Sequence, residues 1–279
     1  MKPAVLDYVR ARTLEEATDW LAADNGNSKV FAGGQSIGPM LNLRLARPDK
    51  LIDIRHIPQL RTIEADSRIY SIGATWTHAE IEDGMIEDPT RGFLPFVAHG
   101  IAYRAVRNRG TIGGSLSHAD PAADWMSTMA AIGASIVVRS SKSGTRRIAA
   151  DSFLLGAFTP QLSQNEILSA VEIPRFSPDM RWGYYKVCRK TGEFAKAIGA
   201  CVADARSETY RVLAGALNGR PHLLPQTAER LKQDGPEQAS SLARDEIDNM
   251  LAHLDDAHRQ QLTVAVQRSL MQLVGPRSV

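Results

Sequence analysis

The sequence contains little cysteine. Only two of its 279 residues are cysteines, Cys188 and Cys201. An iron–sulfur cluster held by cysteines usually takes about four, and a structural zinc site takes about four closely spaced Cys or His ligands. We therefore expect neither kind of metal site in this chain. Both cysteines are interpreted as buried free thiols of a protein in a reducing compartment.

Long hydrophobic runs and clustered charges are also missing. No apolar run reaches the roughly 18 residues that a membrane-spanning helix needs, and the polar start, MKPAVLDYVRARTLEEA, lacks the apolar stretch of a signal peptide. The formal net charge is +2, with basic and acidic residues interleaved, whereas a nucleic-acid surface needs clustered Lys and Arg. The sequence thus predicts a cytoplasmic protein with no transmembrane segment and no nucleic-acid partner.

The first half of the chain alternates predicted strands and helices. Thr13 and Glu16 form a capping-box pattern at the start of a helix over 13–24. Next come a strand over 29–32, a glycine-rich turn, a helix over 38–45 and a strand over 51–54, which together form a compact β-loop-α-β unit. The remaining predictions are a strand over 68–74, a helix capped by Thr77 with Glu80, a helix over 94–106, a helix opened by Asp120 and Pro121, and a strand over 135–140.

A proline-rich stretch, IPRFSP, predicts a domain boundary near Pro174–Pro178. Three candidate strands follow it, and residues 239–252 and 258–274 have apolar residues at helical spacing. We expect an α+β protein. Its first domain spans 1–176, with subdomains over about 1–57 and 58–176, and a smaller α+β domain with a three-stranded antiparallel sheet and helices spans 177–279.

Two glycine pairs are candidates for ligand binding, one in AGGQS over 32–36 and one in TIGGS over 111–115. Glycine lets a backbone approach a ligand closely, and successive N–H groups can form an anion-binding concavity. Neither pair matches G-x-G-x-x-G or the phosphate-loop pattern that ends in Gly-Lys-Ser/Thr. From the residues alone, a phosphate-containing ligand and a simple tight turn both remain open.

Five segments, in order along the chain, resemble one family. They are MKPAVLDYVRARTLEEA, FAGGQSIGPMLNLRLARPDKLIDI, IGATWTHAEI, AVRNRGTIGGSLSHADPAAD and YYKVCRKTGEFAKAIGACVA. The chain is similar to the medium, FAD-binding subunit of molybdenum hydroxylases, the family of carbon monoxide dehydrogenase and the flavin portion of xanthine dehydrogenase. The resemblance implies a two-subdomain FAD-binding fold of the PCMH type.

The resemblance also implies a set of FAD contacts. The two glycine segments would hold the pyrophosphate and ribityl chain, Asp124 would lie near the adenosine end, and Lys186 near the isoalloxazine ring. The residues expected to contact FAD are Ala32, Gly33, Gly34, Gln35, Ser36, Ile37, Thr77, His78, Thr111, Ile112, Gly113, Gly114, Ser115, Ser117, Asp124 and Lys186. No side chain is expected to act as an essential acid or base.

Several of these residues also have ordinary structural interpretations. His78 fits a helix-surface histidine, Lys186 an exposed strand lysine, and Asp124 a first-turn acid favoured by the helix dipole. The arginines fit either an anionic cofactor or a solvated helix end; they are Arg104, Arg107 and Arg109. Tyr185 and Phe194 are candidates to flank the ring, although core packing is the commoner role of such residues.

The sequence departs from the family pattern at two positions. Ser115 stands where relatives usually have Asn, and Gln35 where they often have His. A serine hydroxyl is shorter than an amide and offers fewer hydrogen-bonding groups. A weaker or water-mediated contact is therefore expected at Ser115.

The resemblance implies an electron-transfer subunit. A large molybdopterin-binding subunit would hydroxylate a substrate, a small 2Fe-2S subunit would carry electrons, and this chain would collect them on FAD for an external acceptor, in a dimer of heterotrimers. Two alternatives stay open. One is a stand-alone FAD-dependent oxidase, and the other is a non-enzymatic assembly subunit that has lost flavin binding.

Overall fold

The N-terminal part is a small parallel sheet covered by a helix. The computed structural model describes residues 2–24 and 26–274. The strand order is β1-β3-β2, with β1 at Asp7–Arg10, β2 at Ser28–Phe31 and β3 at Lys50–Asp53. Helix α1 (Leu14–Ala23) packs on this sheet through its buried leucines, and the short helix α2 (Ile37–Asn42) follows β2.

The capping box predicted at α1 is only half formed. The Thr13 side chain accepts a hydrogen bond from the Glu16 N–H, as a helix cap does. The Glu16 carboxylate, however, accepts from the N–H of Arg12 rather than from that of Thr13. The predicted helix itself is confirmed.

The middle of the chain is a five-stranded antiparallel sheet with helices on one side of the core. The strand order is β4-β5-β10-β6-β7, and a small β8–β9 hairpin lies apart from it. The strands are β4 (Ile63–Ala65), β5 (Ile69–Gly73), β6 (Ser135–Ser140), β7 (Gly144–Ala149), β8 (Leu154–Gly156), β9 (Thr159–Pro160) and β10 (Ile167–Pro174). The helices are α3 (His78–Glu82), α4 (Phe93–Gly100), α5 (Arg104–Arg107), α6 (Ile112–His118) and α7 (Asp124–Ala131), and a 3₁₀ turn lies at Pro58–Arg61.

The continuous helix predicted over 94–106 is wrong. The chain leaves α4 at Ile101 in an extended conformation, and Ala102 has a φ of 43°. The Arg107 guanidinium donates to the carbonyls of both residues, at 3.0 Å each. A local side-chain contact thus replaces the hydrogen bonds that a continuous helix would have made, and α5 begins afresh at Arg104.

The predicted start of the next helix is also wrong. Asp120 does not cap a helix, because its carboxylate accepts from the N–H of Ala122 in a local turn. Helix α7 begins later, at Asp124, with Ala123 at the capping position.

The C-terminal part is a four-stranded antiparallel sheet, not the three-stranded sheet expected. Its order is β11-β12-β13-β14, with β11 at Arg181–Val187, β12 at Ala197–Asp204, β13 at Thr209–Gly215 and β14 at His222–Leu223. Two residues are too few for an alternating pattern to reveal β14 in the sequence. Three helices follow: α8 (Pro225–Asp234), α9 (Pro236–Met250) and α10 (Asp256–Met271). The last residues of the domain predicted over 177–279, namely 275–279, lie outside the described residues.

Both faces of the C-terminal sheet are buried. Trp182 and Tyr184 face the core of the middle sheet and its helices, whereas Cys201 and Val212 belong to the core formed with α8–α10. Helix α10 lies close enough to β11 that a Cβ at Gly183 would be 1.8 Å from the Ser269 carbonyl oxygen. The middle and C-terminal parts are therefore packed directly against each other.

The helices of the described ranges are short or polar. None of them is long and apolar enough to span a membrane. Within the same ranges, no group of three or more His, Cys, Asp and Glu residues is arranged to hold a metal ion.

Candidate functional site

The two glycine segments meet in the folded chain. Gly33 is buried against the turn that leads into the second segment, so that a Cβ built on it would lie 2.1 Å from the Arg109 carbonyl oxygen and 2.8 Å from the Gly110 Cα. Only glycine permits this approach. The missing side chain at Gly33 thus serves a contact between two parts of the protein backbone.

The first segment carries a run of free backbone donors. None of the N–H groups of residues 32–37 donates to another described residue. Gly34 has a φ of 78°, whereas its neighbours on either side have negative φ values. A left-handed residue between right-handed or extended neighbours is the arrangement that turns successive N–H groups toward one point. From Gly38 onward the N–H groups bond within the helix, beginning with that of Gly38 to the Gly34 carbonyl.

The second segment is the start of helix α6 and not a loop. Thr111 caps this helix, and its hydroxyl accepts from the Gly114 N–H at 3.0 Å. The N–H groups of Ile112 and Gly113 bond to the Trp76 and Ala74 carbonyls. Gly113 also packs so tightly on Ala74 that a Cβ there would be 2.5 Å away from the alanine Cβ. The N–H groups of residues 112–114 are therefore already used inside the protein.

Hydroxyl groups are what α6 offers to a ligand. Ser115 and Ser117 are half-buried, and their side chains make no hydrogen bond to any residue within 2–24 or 26–274. Gly114 is exposed beside them. The combined site is therefore a concave row of N–H groups at residues 32–37, next to a helix with two free serine hydroxyls.

Thr77 and His78 contact the start of the second glycine segment and the turn before it. Thr77 forms the predicted capping box with Glu80, which is confirmed, and it pairs with Thr111 in an isolated antiparallel bridge. The backbone N–H of His78 donates to the Gly110 carbonyl at 2.9 Å, and the Trp125 indole N–H donates to its Nδ1 at 3.0 Å. His78 thus fixes the turn on which Gly33 rests.

The environment of His78 keeps its ring neutral. Burial, together with the nearby positive charge of Arg107, lowers the pKa of His78 to about 4. The ring is 4% exposed, so the interpretation as a helix-surface histidine is wrong. His78 is a buried residue under the second segment.

Asp124, Lys186 and Tyr184 form a second polar cluster. The Lys186 Nζ lies 2.9 Å from the Asp124 Oδ1 and donates to the Gly100 carbonyl at 2.9 Å. The Tyr184 hydroxyl donates to the same carboxylate at 2.6 Å. Burial and the negative charge of Asp124 raise the pKa of Tyr184 well above its usual value. Lys186 is 10% exposed as a side chain, so it is not an exposed strand lysine.

This ion pair restricts how FAD can contact the cluster. The resemblance assigns Asp124 to the adenosine end and Lys186 to the ring, and these are opposite ends of the dinucleotide. Because the two side chains touch, an extended FAD reaches them with one end only. The two contacts stay predictions, and only a folded FAD would satisfy both as assigned.

The Tyr185 side chain lies on the opposite face of β11 from the Lys186 side chain. Neighbouring strand residues point to opposite faces, and Tyr185 packs on the C-terminal helices with the Arg268 guanidinium 4.7 Å from its ring centroid. Phe194 is 68% exposed.

The three arginines of the second segment differ in their partners. Arg104 pairs with Glu82 and Asp83, and Arg107 with Glu82 at 2.7 Å. Arg109 is exposed and has no ion-pair partner among the residues that the structure describes. It is therefore the one of the three whose charge is left for a bound anion.

A cluster that was not predicted from the sequence, formed by Tyr8, Asp53 and Arg55, contacts the first segment through the Phe31 ring. The buried Asp53 carboxylate accepts from the Tyr8 hydroxyl and from the Arg55 guanidinium, at 2.7 Å for the closest nitrogen of Arg55. Arg55 lies over the Phe31 ring, 5.1 Å from its centroid, and a Cβ on Gly34 would be 2.8 Å from the same ring. The hydrogen bonds hold the pKa of Asp53 at about 2 although burial opposes this.

One signal in the sequence could have located this cluster. Asp53 and Phe31 end neighbouring parallel strands, and ligands of open parallel sheets bind beyond the carboxyl ends of the strands.

Comparison with known proteins assigns the family. A sequence profile described as the FAD binding domain in molybdopterin dehydrogenase matches residues 4–176. The chain belongs to this family. The identification of the family from five sequence segments is thereby confirmed, as is FAD as the cofactor.

The relatives extend the similarity beyond the matched domain. This FAD-binding chain is 32% identical to the nicotine 6-hydroxylase medium subunit of Paenarthrobacter nicotinovorans over 92% of its own length and 91% of the relative's. It is 36% identical to the carbon monoxide dehydrogenase medium chain of Hydrogenophaga pseudoflava, over 78% and 75%. A solved structure of carbon monoxide dehydrogenase from that organism contains a chain that superposes with a TM-score of 0.86, at 29% identity and 98% coverage of both chains. The chain is thus an FAD-binding oxidoreductase subunit of the molybdenum hydroxylase type.

Proposed function

We propose that residues 32–37 bind the pyrophosphate of FAD through their backbone N–H groups. The observation that supports this is the run of donors without a partner beside a left-handed Gly34. N–H groups that are already oriented lose little entropy when they bind an anion. Arg109, which is unpaired, adds a positive charge at the same turn.

We further propose that Ser115 and Ser117 donate their hydroxyls to the same ligand. Gly33 sets the spacing between these hydroxyls and the N–H row, because it allows the Arg109 carbonyl to approach. The N–H groups of α6 are excluded from this role, since they are bonded internally. The two glycine segments therefore contribute in different ways.

The proposed role of the chain is electron transfer inside a larger enzyme. Bound FAD would supply the capacity to take up electrons singly and release them in pairs. We propose that the electrons come from a 2Fe-2S partner subunit, that a large molybdopterin subunit carries out the hydroxylation, and that the assembly is a dimer of heterotrimers. The names of the relatives, medium subunit and medium chain, support this.

Two further proposals concern organisation. The FAD-binding domain is assigned to residues 1–176, with subdomains over about 1–57 and 58–176, and the C-terminal domain, which contributes Lys186, to 177–279; the helices after about residue 220 are proposed to contact partner subunits. A cytoplasmic location is proposed, which agrees with neither Cys188 nor Cys201 being part of a disulfide.

The first experiment is flavin loading of the purified full-length chain. FAD is added, the excess is removed, and the visible spectrum is compared with the protein concentration. Near-equal stoichiometry is expected. A colourless but folded chain, together with no FAD released on denaturing the complex copurified with its partners, would contradict FAD binding and favour the assembly-subunit alternative. Oxidation of a substrate by the loaded chain alone would favour the oxidase.

A further inference from the structure

A separate cavity lies between the middle and C-terminal parts of the chain. Its volume is about 460 Å³, and its walls include Ser152 and Leu154 on one side and residues 217–222 on the other. The turn between α9 and α10 completes it with Leu251 and His253. This volume falls in the range of roughly 300–1,000 Å³ that is usual for small-molecule sites. None of the residues assigned to FAD lines it.

The polar groups of this cavity are basic or neutral. Arg220, His222 and His253 line it, and no Asp or Glu does. Asp151, next to Ser152 in the chain, is ion-paired with Arg211 at 2.9 Å. The Arg220 side chain is exposed and forms no ion pair with any residue within 2–24 or 26–274, and a guanidinium is a strong partner for a carboxylate or phosphate.

Backbone donors add to this guanidinium. The loop after β13 turns sharply at Ala216, whose φ is 63°. None of the N–H groups of residues 216–220 donates to another residue that the structure describes. Burial and the charges of Arg220 and His253 lower the pKa of His222. At neutral pH, His222 is thus a neutral hydrogen-bonding group, and Arg220 supplies the charge.

The rest of the lining is apolar. Leucines from three separate elements face the cavity, on β8, in the loop after β13 and beside the α9–α10 turn; they include Leu154, Leu155, Leu217, Leu251 and Leu254. Leu154, Leu217 and Leu251 are buried in the protein, whereas Leu155 is 65% exposed and Leu254 is half-buried. A ligand with a short hydrocarbon body would cover the exposed surface of Leu155 and Leu254.

We propose that this cavity binds a small amphiphilic carboxylate, with its acid group on Arg220 and the N–H groups of the loop, and its hydrocarbon body on Leu155 and Leu254. Such a site is independent of the flavin site. It would let a small organic acid bind at the contact between the two parts of the chain.

The test uses octanoate as the probe on the FAD-loaded full-length chain at pH 7.5. Binding is followed by ligand-observed NMR, with octanamide as the neutral analogue and acetate as the acid without a body. Saturable octanoate binding is expected, at least about tenfold tighter than that of octanamide, because a hydrogen bond to a charged group contributes about that factor. Acetate should also bind at least about tenfold more weakly than octanoate, because it lacks the methylene groups that cover apolar surface. Equal binding of octanamide, binding of acetate as tight as that of octanoate, or no saturation would overturn the proposal.

Two variants test whether octanoate binds in this cavity. Arg220→Gln should weaken octanoate about tenfold. Gly219→Phe should weaken binding, because Gly219 lines the cavity and a Cβ on it meets no atom within 4 Å, so that a larger side chain is tolerated beside the ligand. Arg206→Gln removes an exposed arginine at the opposite end of β13 and should leave binding unchanged. The flavin spectrum and melting temperature report folding, and wild-type affinity in Gly219→Phe would refute the site.

Discussion

Gly33→Ala tests the spacing of the flavin site directly. The new Cβ would lie 2.1 Å from the Arg109 carbonyl oxygen, where an ordinary contact begins at 3.4 Å, so the two segments must separate by about 1.3 Å. This moves the serine hydroxyls of α6 away from the N–H row at 32–37. Losing one hydrogen bond to a charged phosphate costs about 1.5–3 kcal/mol, so Kd for FAD should rise about tenfold to a hundredfold.

The matched control lies five residues away. Gly38→Ala lies in helix α2, directly after the first segment, but its Cβ meets nothing within 4 Å and its φ is not left-handed. It should leave the FAD affinity unchanged and leave stability equal or about 0.5–1 kcal/mol higher. Fluorescence titration of FAD on the apoprotein gives Kd, and circular dichroism checks the fold. An unchanged Kd in Gly33→Ala, or an equal loss in Gly38→Ala, would refute the reasoning.

A double variant isolates the mechanism. If Gly33→Ala acts by moving Ser115 away from FAD, then adding Ser115→Ala to it should reduce the free energy of FAD binding much less than Ser115→Ala does in the wild-type background. Full additivity would mean that the alanine acts on the N–H row alone.

The remaining predictions concern two buried titratable groups, Asp53 and His78, and urea unfolding measures the stability of each variant. Asp53→Asn should destabilise the fold by about 2 kcal/mol, less than the roughly 3–5 kcal/mol of a fully buried pair because Arg55 is partly exposed. Since the pKa of Asp53 is about 2 instead of 3.8, the wild type should also lose stability as the pH falls from 4 toward 2, and the variant should lack that component. The pKa of His78 is about 4 instead of 6.5, so the unfolded chain takes up a proton first, and stability should fall as the pH drops from 6.5 to 4. His78→Gln should reduce this slope; an identical slope would contradict a neutral buried His78.

Local features could be predicted from the sequence. The capping box of Thr77 and Glu80 depends on four consecutive residues, and the turn at Gly34 on one residue that tolerates a positive φ. Both could be predicted because neither depends on a contact with residues far away in the chain. Strands β11, β12 and β13 of the C-terminal sheet were found for a similar reason, since their apolar runs are long, whereas the two-residue β14 was not.

Features decided by distant contacts could not be predicted in this way. The burial of His78 depends on Trp125, which lies 47 residues later in the chain. The break after α4 is more local, but it depends on a hydrogen bond from the Arg107 side chain to the Ala102 carbonyl, which apolar periodicity does not reveal. The N–H groups of the second glycine segment are bonded to carbonyls of residues 74 and 76, far away in the chain. A glycine pair in the sequence does not reveal whether its N–H groups are free, and here only the first pair has free donors.

The last prediction concerns the Asp124–Lys186 pair, because its position relative to FAD determines whether Lys186 affects the midpoint potential of the flavin. We expect Lys186→Met to lower the midpoint potential of the bound flavin, since it leaves the Asp124 carboxylate near the ring without its cation, and a negative charge disfavours the reduced anion. The double variant Lys186→Met/Asp124→Asn removes both charges and should return the potential toward the wild-type value. Potentiometric titration of the loaded chain measures both. If Lys186→Met weakens FAD binding but leaves the potential unchanged, the pair lies at the adenosine end, and the assignment of Lys186 to the ring is wrong.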